Sequence, residues 1–546
     1  MQGDGADLAI IDYVIIATYF VVVLAIGFYV SRKIQTGDDL FLAGRGLKWP
    51  EIGGSLFASN ISSTTLIGLA GAAYMTGISV SNYEWMAGLV LVFMALFYIP
   101  VYLRTKITTV PEYLELRFNR TARLYFSAVS IILTLVVDTA GGIYAGGVVM
   151  RTFFPGIELW QICVGLAVVA GIYTAAGGLA AVVYTDVIQT VVLIIGSLII
   201  TILVFSNFNY SWSEAKASIP DGHLSLIRPI GGEGVPWLGT ITGVAFIGFW
   251  YWACNQYITQ RILGSRSVRD GQWGALLGGA LKLLPLFIMV LPGAMAIELF
   301  PDLENGDQVF PTLISEVLPI GLTGLVLAGL IAAIMSSIDS TLNSSSTLIL
   351  NDFVQREDRK ISAERMSLYG RICTIVLTAL AAAWAPQIAN FPGLFNYLQQ
   401  AFSVAVPPVV VIFLFGMFWR GGAGLTAVLT LAIGHLVGIA LFVAAQVYGN
   451  QLQQRPGNEA FNWVTDVFLQ LHFTIHAGIM VAFSAIVFLV VALFYDGRIS
   501  KERADKCTWR AGGRGEDYSD LPVWQRPFVL APVVVAVTAV MILFFW

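Results

Sequence analysis

Long apolar runs, separated by short polar joints, repeat along the whole chain. A bilayer core of ~30 Å takes about 20 apolar residues in a helix. Fourteen stretches meet that demand: 9–30, 49–75, 84–104, 123–151, 158–178, 182–206, 237–263, 273–299, 312–350, 367–388, 391–419, 422–447, 470–495 and 525–546. Runs such as 187–205, VIQTVVLIIGSLIITILVF, are continuous rather than alternating. A membrane β-barrel requires short alternating strands, so the pattern predicts an all-α membrane protein of about fourteen transmembrane helices. The 312–350 stretch is long for one span and is expected to contain a loop segment.

The joints carry an alternating charge pattern. Arg32, Lys33, Arg45 and Lys48 follow the first span, and Arg104, Lys106, Arg117, Arg120 and Arg123 follow the third. The same side later carries Arg356, Arg359, Lys360 and Arg365, then Arg498, Lys501, Arg503, Lys506, Arg510, Arg514 and Arg526. The opposite side has only Arg151, Lys216, Arg228 and Arg455. Basic residues concentrate in cytoplasmic joints. Both termini are therefore expected outside, in a plasma membrane (the inner one in a bacterium). MQGDGADLAI lacks the basic start of a signal peptide, so the first span is expected to be retained.

Composition removes other classes. Of 546 residues, 57% are hydrophobic and 12% charged, against about 25% charged in soluble domains; mean hydropathy is +0.77. That excludes a soluble enzyme and a disordered chain. A net charge of −4, scattered in short joints, forms no basic face for nucleic acid. Cys163, Cys254, Cys373 and Cys507 are far apart and fit no metal or disulfide pattern. An intramembrane zinc protease needs H-E-x-x-H; His472 and His476 are four apart, but no Glu follows His472.

The informative residues are polar ones inside the spans, where ionisable groups are costly and default to function. Glu84, Asp186, Lys282 and Asp339 stand out, with Asp138 and Arg371 as further candidates. Glu84 also suits a helix start and Asp186 a helix cap. Two stretches are more unusual. Ala58-Ser59-Asn60-Ile61-Ser62-Ser63-Thr64-Thr65 interrupts the second span and predicts a broken helix whose freed carbonyls line a cavity. In AAIMSSIDS (332–340), Ala333, Ser336, Ser337 and Ser340 share one helical face. A small-residue helix interface accounts for that face too; two such stretches in one chain favour a cage of neutral oxygens for Na⁺. Segments 49–206 and 237–419 each hold five spans, and the second opens with Gly243 and Gly248 ahead of an aromatic cluster. Paired interrupted helices point to an inverted-repeat transporter. The expected organisation is 1–48, first span and cytoplasmic loop; 49–206, first repeat; 207–236, outer loop; 237–419, second repeat; 420–546, accessory spans.

Several segments together resemble the solute:sodium symporter family, closest to its sodium/glucose cotransporter branch and its bacterial sodium/galactose member. They are FLAGRGLKW (41–49), GGSLFASNISS (53–63), YEWMA (83–87), TVPEYLELRFN (109–119), YTAAGGLAAVVYTDVIQ (173–189), YWACNQYITQR (251–261), ALKLLPLFIMVLPG (280–293), AAIMSSIDSTLNS (332–344) and FGMFWR (415–420). The resemblance implies a LeuT-type fold of two inverted five-helix repeats and Na⁺-driven uptake by alternating access. It implies a sodium site from Ala58, Ile61, Ala333, Ser336 and Ser337, and a possible second cation site from Asp186, Ser336, Asp339 and Ser340. A carboxylate at 339, where some members have a hydroxyl, leaves sodium or a proton open there. In the sugar branch, the solute contacts resemble Asn60, Glu84, Tyr251, Lys282 and Gln399, with Tyr251 stacking on the ring and hydrogen-bonded to Asn60. Thr64-Thr65 and Gly248 replace a Glu-Gln pair and an Asn of the galactose member, which shifts the expected solute toward another monosaccharide, an inositol or something smaller.

The reading is a non-enzymatic sodium symporter of a neutral sugar or polyol, with the bilayer, sodium and the solute as partners. A sodium symporter of an organic acid or amino acid, anchored by Lys282, is the alternative; a transporter-like sensor belongs to another class.

Overall fold

The computed structural model describes residues 8–31, 42–176, 179–355, 362–391, 393–452, 471–495, 499–509 and 518–546. Ten helices among them are long and apolar enough to cross a membrane, or twelve if each of two bent pairs is one span. The order begins with α1 (Ile10–Ser31) and the bent pair α2 (Trp49–Asn60) and α3 (Ser63–Thr76). It continues through α4 (Ile78–Thr105), α5 (Arg120–Phe153), α6 (Leu159–Ala176) and α7 (Leu179–Ser206). Next come α8 (Trp237–Cys254), α9 (Gln256–Leu263), α10 (Val268–Leu299), α11 (Leu322–Val354) and α12 (Leu368–Asn390). The second bent pair is α13 (Leu394–Ala405) and α14 (Pro407–Phe418), followed by α15 (Gly424–Leu452), α16 (Phe473–Phe494) and α17 (Pro527–Phe544).

The long 312–350 stretch divides as expected. A short helix, Val309–Val317, ends before Gly321, and α11 starts afresh at Leu322. Asp12, buried on α1, caps that start by accepting from the Gly321 and Gly324 amides at 2.8 Å each. A carboxylate at a helix N-terminus is favoured by the exposed amides and the dipole.

The second interrupted helix breaks elsewhere than its glycines predict. Gly243 and Gly248 stay helical, and the chain leaves the helix at Asn255, which is extended at φ −74°, ψ 123°. Gly243 serves packing instead: a Cβ there would lie 1.8 Å from the Thr474 carbonyl oxygen. The absent side chain lets α16 press against α8.

Among the described residues, six π-helical turns interrupt the spans: Met94–Tyr98, Thr134–Thr139, Thr240–Val244, Trp250–Cys254, Leu286–Val290 and Ile349–Val354. Such turns are rare and concentrate at functional sites. Three of them, one in α5 and two in α8, contribute to the cavity described next.

Candidate functional site

The break between α2 and α3 follows its sequence. Serines, threonines and an asparagine offer the backbone local partners in place of the helical ladder. Ile61 (ψ 65°) and Ser62 (ψ 173°) leave the helix, and the two halves meet at a bend of 55°. The Thr65 hydroxyl donates back to the Asn60 carbonyl, and the Thr65 and Leu66 amides donate to Ser62. Among the described residues, no backbone amide donates to the Ala58 or Ile61 carbonyl. In a membrane such carbonyls are tolerated where they face a polar cavity.

A cavity of ≈ 100 Å³ opens at this break, lined by Ser59, Asn60, Ser62, Thr64 and Thr65 from the break itself. Glu84 comes from α4, Asp138 and Gly142 from α5, Gly248, Tyr251 and Trp252 from α8, Tyr257 from α9, Ser337 and Thr341 from α11, and Gln399 and Phe402 from α13. Four of the five expected solute contacts, Asn60, Glu84, Tyr251 and Gln399, thus share one wall system. The fifth, Lys282, is not on the wall. It sits behind Glu84, fully buried, with its ammonium bonded to the Glu84 carboxylate. The rings of Trp252 and Phe57 lie 5.1 and 6.0 Å from it. Pro285 explains its position: with no N–H to offer Leu281, α10 loosens into a turn at Lys282 and Leu283. Glu84, in the second turn of α4, is stabilised by Lys282.

Tyr251 has a partner beyond the expected Asn60. Its hydroxyl pairs with that of Tyr257 rather than standing on Asn60 alone, and the two rings meet edge to face at 5.9 Å. Tyr257 was not foreseen; it lies two residues past the Asn255 break, and Asn255 caps its helix by accepting from the Tyr257 amide at 3.2 Å. On the other side, Tyr83 and Phe395 pack edge to face at 5.0 Å. Both rings also line a second cavity of ≈ 660 Å³, with Gly71, Glu304 and Asp307 on its walls. Two aromatic pairs therefore border the site, and one of them also borders the second cavity.

Of the five expected sodium ligands, Ser337 is on the cavity wall. Ala58 and Ile61 flank the break; on α11, Ser336 is buried beside Ser337 and Ala333 is buried one turn earlier. The possible second cation site is different. The Asp186 side chain lies outside the described residues. Asp339 is buried, and the Ser340 hydroxyl accepts from the Arg261 guanidinium at 3.0 Å. Arg261, itself buried, also donates to Ser55 at 2.9 Å and to the Tyr257 carbonyl. Sequence reading gave Arg261 no role, although a lone arginine within an apolar stretch was the available signal.

Residues 40–434 match the Sodium:solute symporter family. The chain belongs to that family. It is 31% identical over 556 residues to sodium/glucose cotransporter 4 of Danio rerio, covering 94% of this chain and 83% of that one. It is 31% identical over 564 residues to sodium/glucose cotransporter 1 of Oryctolagus cuniculus, covering 95% and 84%. Among solved structures, a Na⁺-coupled sialic acid symporter in a substrate-bound outward-open state superposes with a TM-score of 0.73 at 22% identity, covering 90% of this chain and all of that one (100%). A nucleobase-cation-symport-1 transporter in a closed conformation gives 0.54 at 13% identity, covering 86% and 99%. The fold is thus the LeuT-type transporter fold. This symporter is an integral membrane transporter, not an enzyme, and sodium is its coupling ion.

Proposed function

We propose that this symporter carries a sugar or polyol inward with sodium by alternating access, and that the cavity at the α2–α3 break holds the solute. The observation that carries the reading is the wall chemistry. Asn60 Oδ1, Tyr83 Oη and Gln399 Oε1 are buried polar atoms without partners, and they converge on a space with aromatic faces at Tyr251, Trp252 and Phe402. A ring with many hydroxyls satisfies such atoms and covers such faces. The relatives named as sodium/glucose cotransporters support the same class. An organic acid fits less well: Lys282, its expected anchor, is engaged by Glu84 behind the wall.

Sodium is assigned to the Ala58 and Ile61 carbonyls with Ala333, Ser336 and Ser337. Ordering these oxygens around the ion fixes the angle of the break, and with it Asn60 and Ser59 on the solute wall. Coupling then follows from shared geometry: ion and solute each stabilise one arrangement of the same turn. At the second candidate site a guanidinium already stands on Ser340, so one sodium per solute is the proposed ratio. Tyr83–Phe395 and Tyr251–Tyr257 are proposed as the two thin barriers that open in alternation. The organisation into repeats 49–206 and 237–419, and both termini outside, complete the proposal.

The test is uptake of radiolabelled hexoses and inositols into proteoliposomes with and without an inward Na⁺ gradient. Gradient-dependent uptake is expected. Uptake that ignores Na⁺, or competition by organic acids alone, overturns the reading.

A further inference from the structure

We propose that Asp138 is a further solute contact, and that it selects a solute bearing a protonated amine beside its hydroxyls, an amino sugar or amino polyol. The inference rests on the reading that the cavity at the α2–α3 break holds the solute.

Three observations lead there. Asp138 lies within the π-helical turn Thr134–Thr139, midway along the 34-residue α5. Its side chain lies on the cavity wall, in the same lining as Asn60 and Gln399. Its Oδ2 is buried and has no hydrogen-bond partner. Its neighbours are neutral: Asn255 faces it, and Tyr251, Tyr257 and Tyr397 feel its charge. No Lys, Arg or His among the described residues pairs with it.

The contrast with Glu84 decides what it asks of a ligand. Glu84 and Lys282 balance each other, so that pair adds no net charge to the wall. Asn60 and Gln399 can turn an amide either way, and the Tyr83 hydroxyl both donates and accepts. None of these three chooses between donors and acceptors. Asp138 has no counter-charge on the wall, and beside a ligand cation it is held ionised and accepts only. A buried carboxylate without a counter-ion is costly, and a ligand that brings an ammonium removes that cost. A neutral hexose offers a hydroxyl there and gains less; a uronic or other acidic sugar is repelled.

The experiment is competition for the uptake of radiolabelled glucosamine into proteoliposomes under an inward Na⁺ gradient. The competitors are glucose, galactose, galactosamine, N-acetylglucosamine and glucuronate. In the wild type, amino sugars are expected to compete about tenfold better than their parent hexoses, the difference between a charge-assisted and a neutral hydrogen bond, with N-acetylation erasing the gain. Asp138→Asn should bring the ratio to about one. Should Asp138→Asn fail to fold by thermal shift, Asp138→Glu is expected to keep the preference, and the wild-type ratio decides alone. Equal competition by amino and parent sugars in the wild type overturns the proposal and leaves sugar symport standing. So does proton influx that accompanies the solute and is lost in Asp138→Asn, which makes the carboxylate a proton site. Absence of Na⁺-dependent transport of every sugar overturns the symport reading itself, and this inference with it.

Discussion

Two helices in this symporter bend by nearly the same angle for opposite reasons. The α2–α3 pair turns by 55° and the α13–α14 pair by 54°. In the first, two residues leave the helix and the Ala58 and Ile61 carbonyls lose their backbone donors beside a polar cavity. In the second, Pro407 and Pro408 withdraw the amides that would reach the Ser403 and Val404 carbonyls, while the neighbouring bonds hold. Val406 still donates to Phe402 at 2.9 Å, Val410 donates to Val406 at 3.0 Å, and the His435 ring from α15 stands 2.8 Å from the Ala405 carbonyl. Tyr125 holds that ring from its other nitrogen at 3.1 Å. One bend leaves its oxygens on a polar cavity; at the other, a side chain from a neighbouring helix stands on the Ala405 carbonyl. A bend angle therefore says little about ion binding. What decides is whether a side chain has closed the carbonyls the bend sets free.

The comparison breaks most sharply on the open side. Glu84→Gln leaves Lys282 buried without a counter-charge, which typically costs about 3–5 kcal/mol. A large loss of thermal stability is expected, measured in detergent, with partial recovery in Glu84→Gln/Lys282→Met. Equal stability of the single variant and the wild type would show that the pair does not balance the wall. His435→Ala tests the closed bend. It should cost about 1–3 kcal/mol, the price of an unpaired buried carbonyl, while the Na⁺ concentration for half-maximal uptake stays put. A change in sodium dependence here would make the second bend part of the ion site.

Ser337→Ala reverses that signature. The Na⁺ requirement should rise about tenfold, equivalent to about 1.4 kcal/mol of lost ion binding, with the melting temperature in the absence of sodium nearly unchanged. Loss of stability without altered sodium dependence would reduce Ser337 to a packing residue. The smallest effect is expected of Pro407→Ala. Restoring an N–H to a bend already held by His435 should shift stability by less than about 1 kcal/mol, with uptake retained; a collapse of transport would show that the proline sets the angle.

Much of this was legible in the sequence because the bilayer prices polarity so heavily. Glu84 and Lys282 are 198 positions apart, yet two lone charges in apolar spans most cheaply meet, and they do. The Ala58–Thr65 stretch announced its own break through its hydroxyls. Asp138 was visible as a mid-span carboxylate, but its place on the wall depends on a π-helical turn that no periodicity reveals. Asn255 was hidden behind two more obvious glycines, of which Gly243 serves close packing and Gly248 lines the cavity. His435 and Arg261 act through partners far along the chain, His435 on Ala405 and Arg261 on Ser340, so their effect is tertiary and leaves no local pattern.

The six π-helical turns carry a last consequence. Each holds one residue more than the α-helix around it needs, while the flanking turns keep their orientation. A helix of ordinary geometry cannot lose a residue without rotating everything downstream by about 100°. At Thr134–Thr139 the extra residue can be removed and the turn heals to regular helix, leaving Ala140–Phe153 facing as before. These turns are the places where the spans tolerate a change of length. They are where natural insertions and deletions among related transporters are expected to accumulate, and where a designer can shorten a span by one residue without rethreading the bundle.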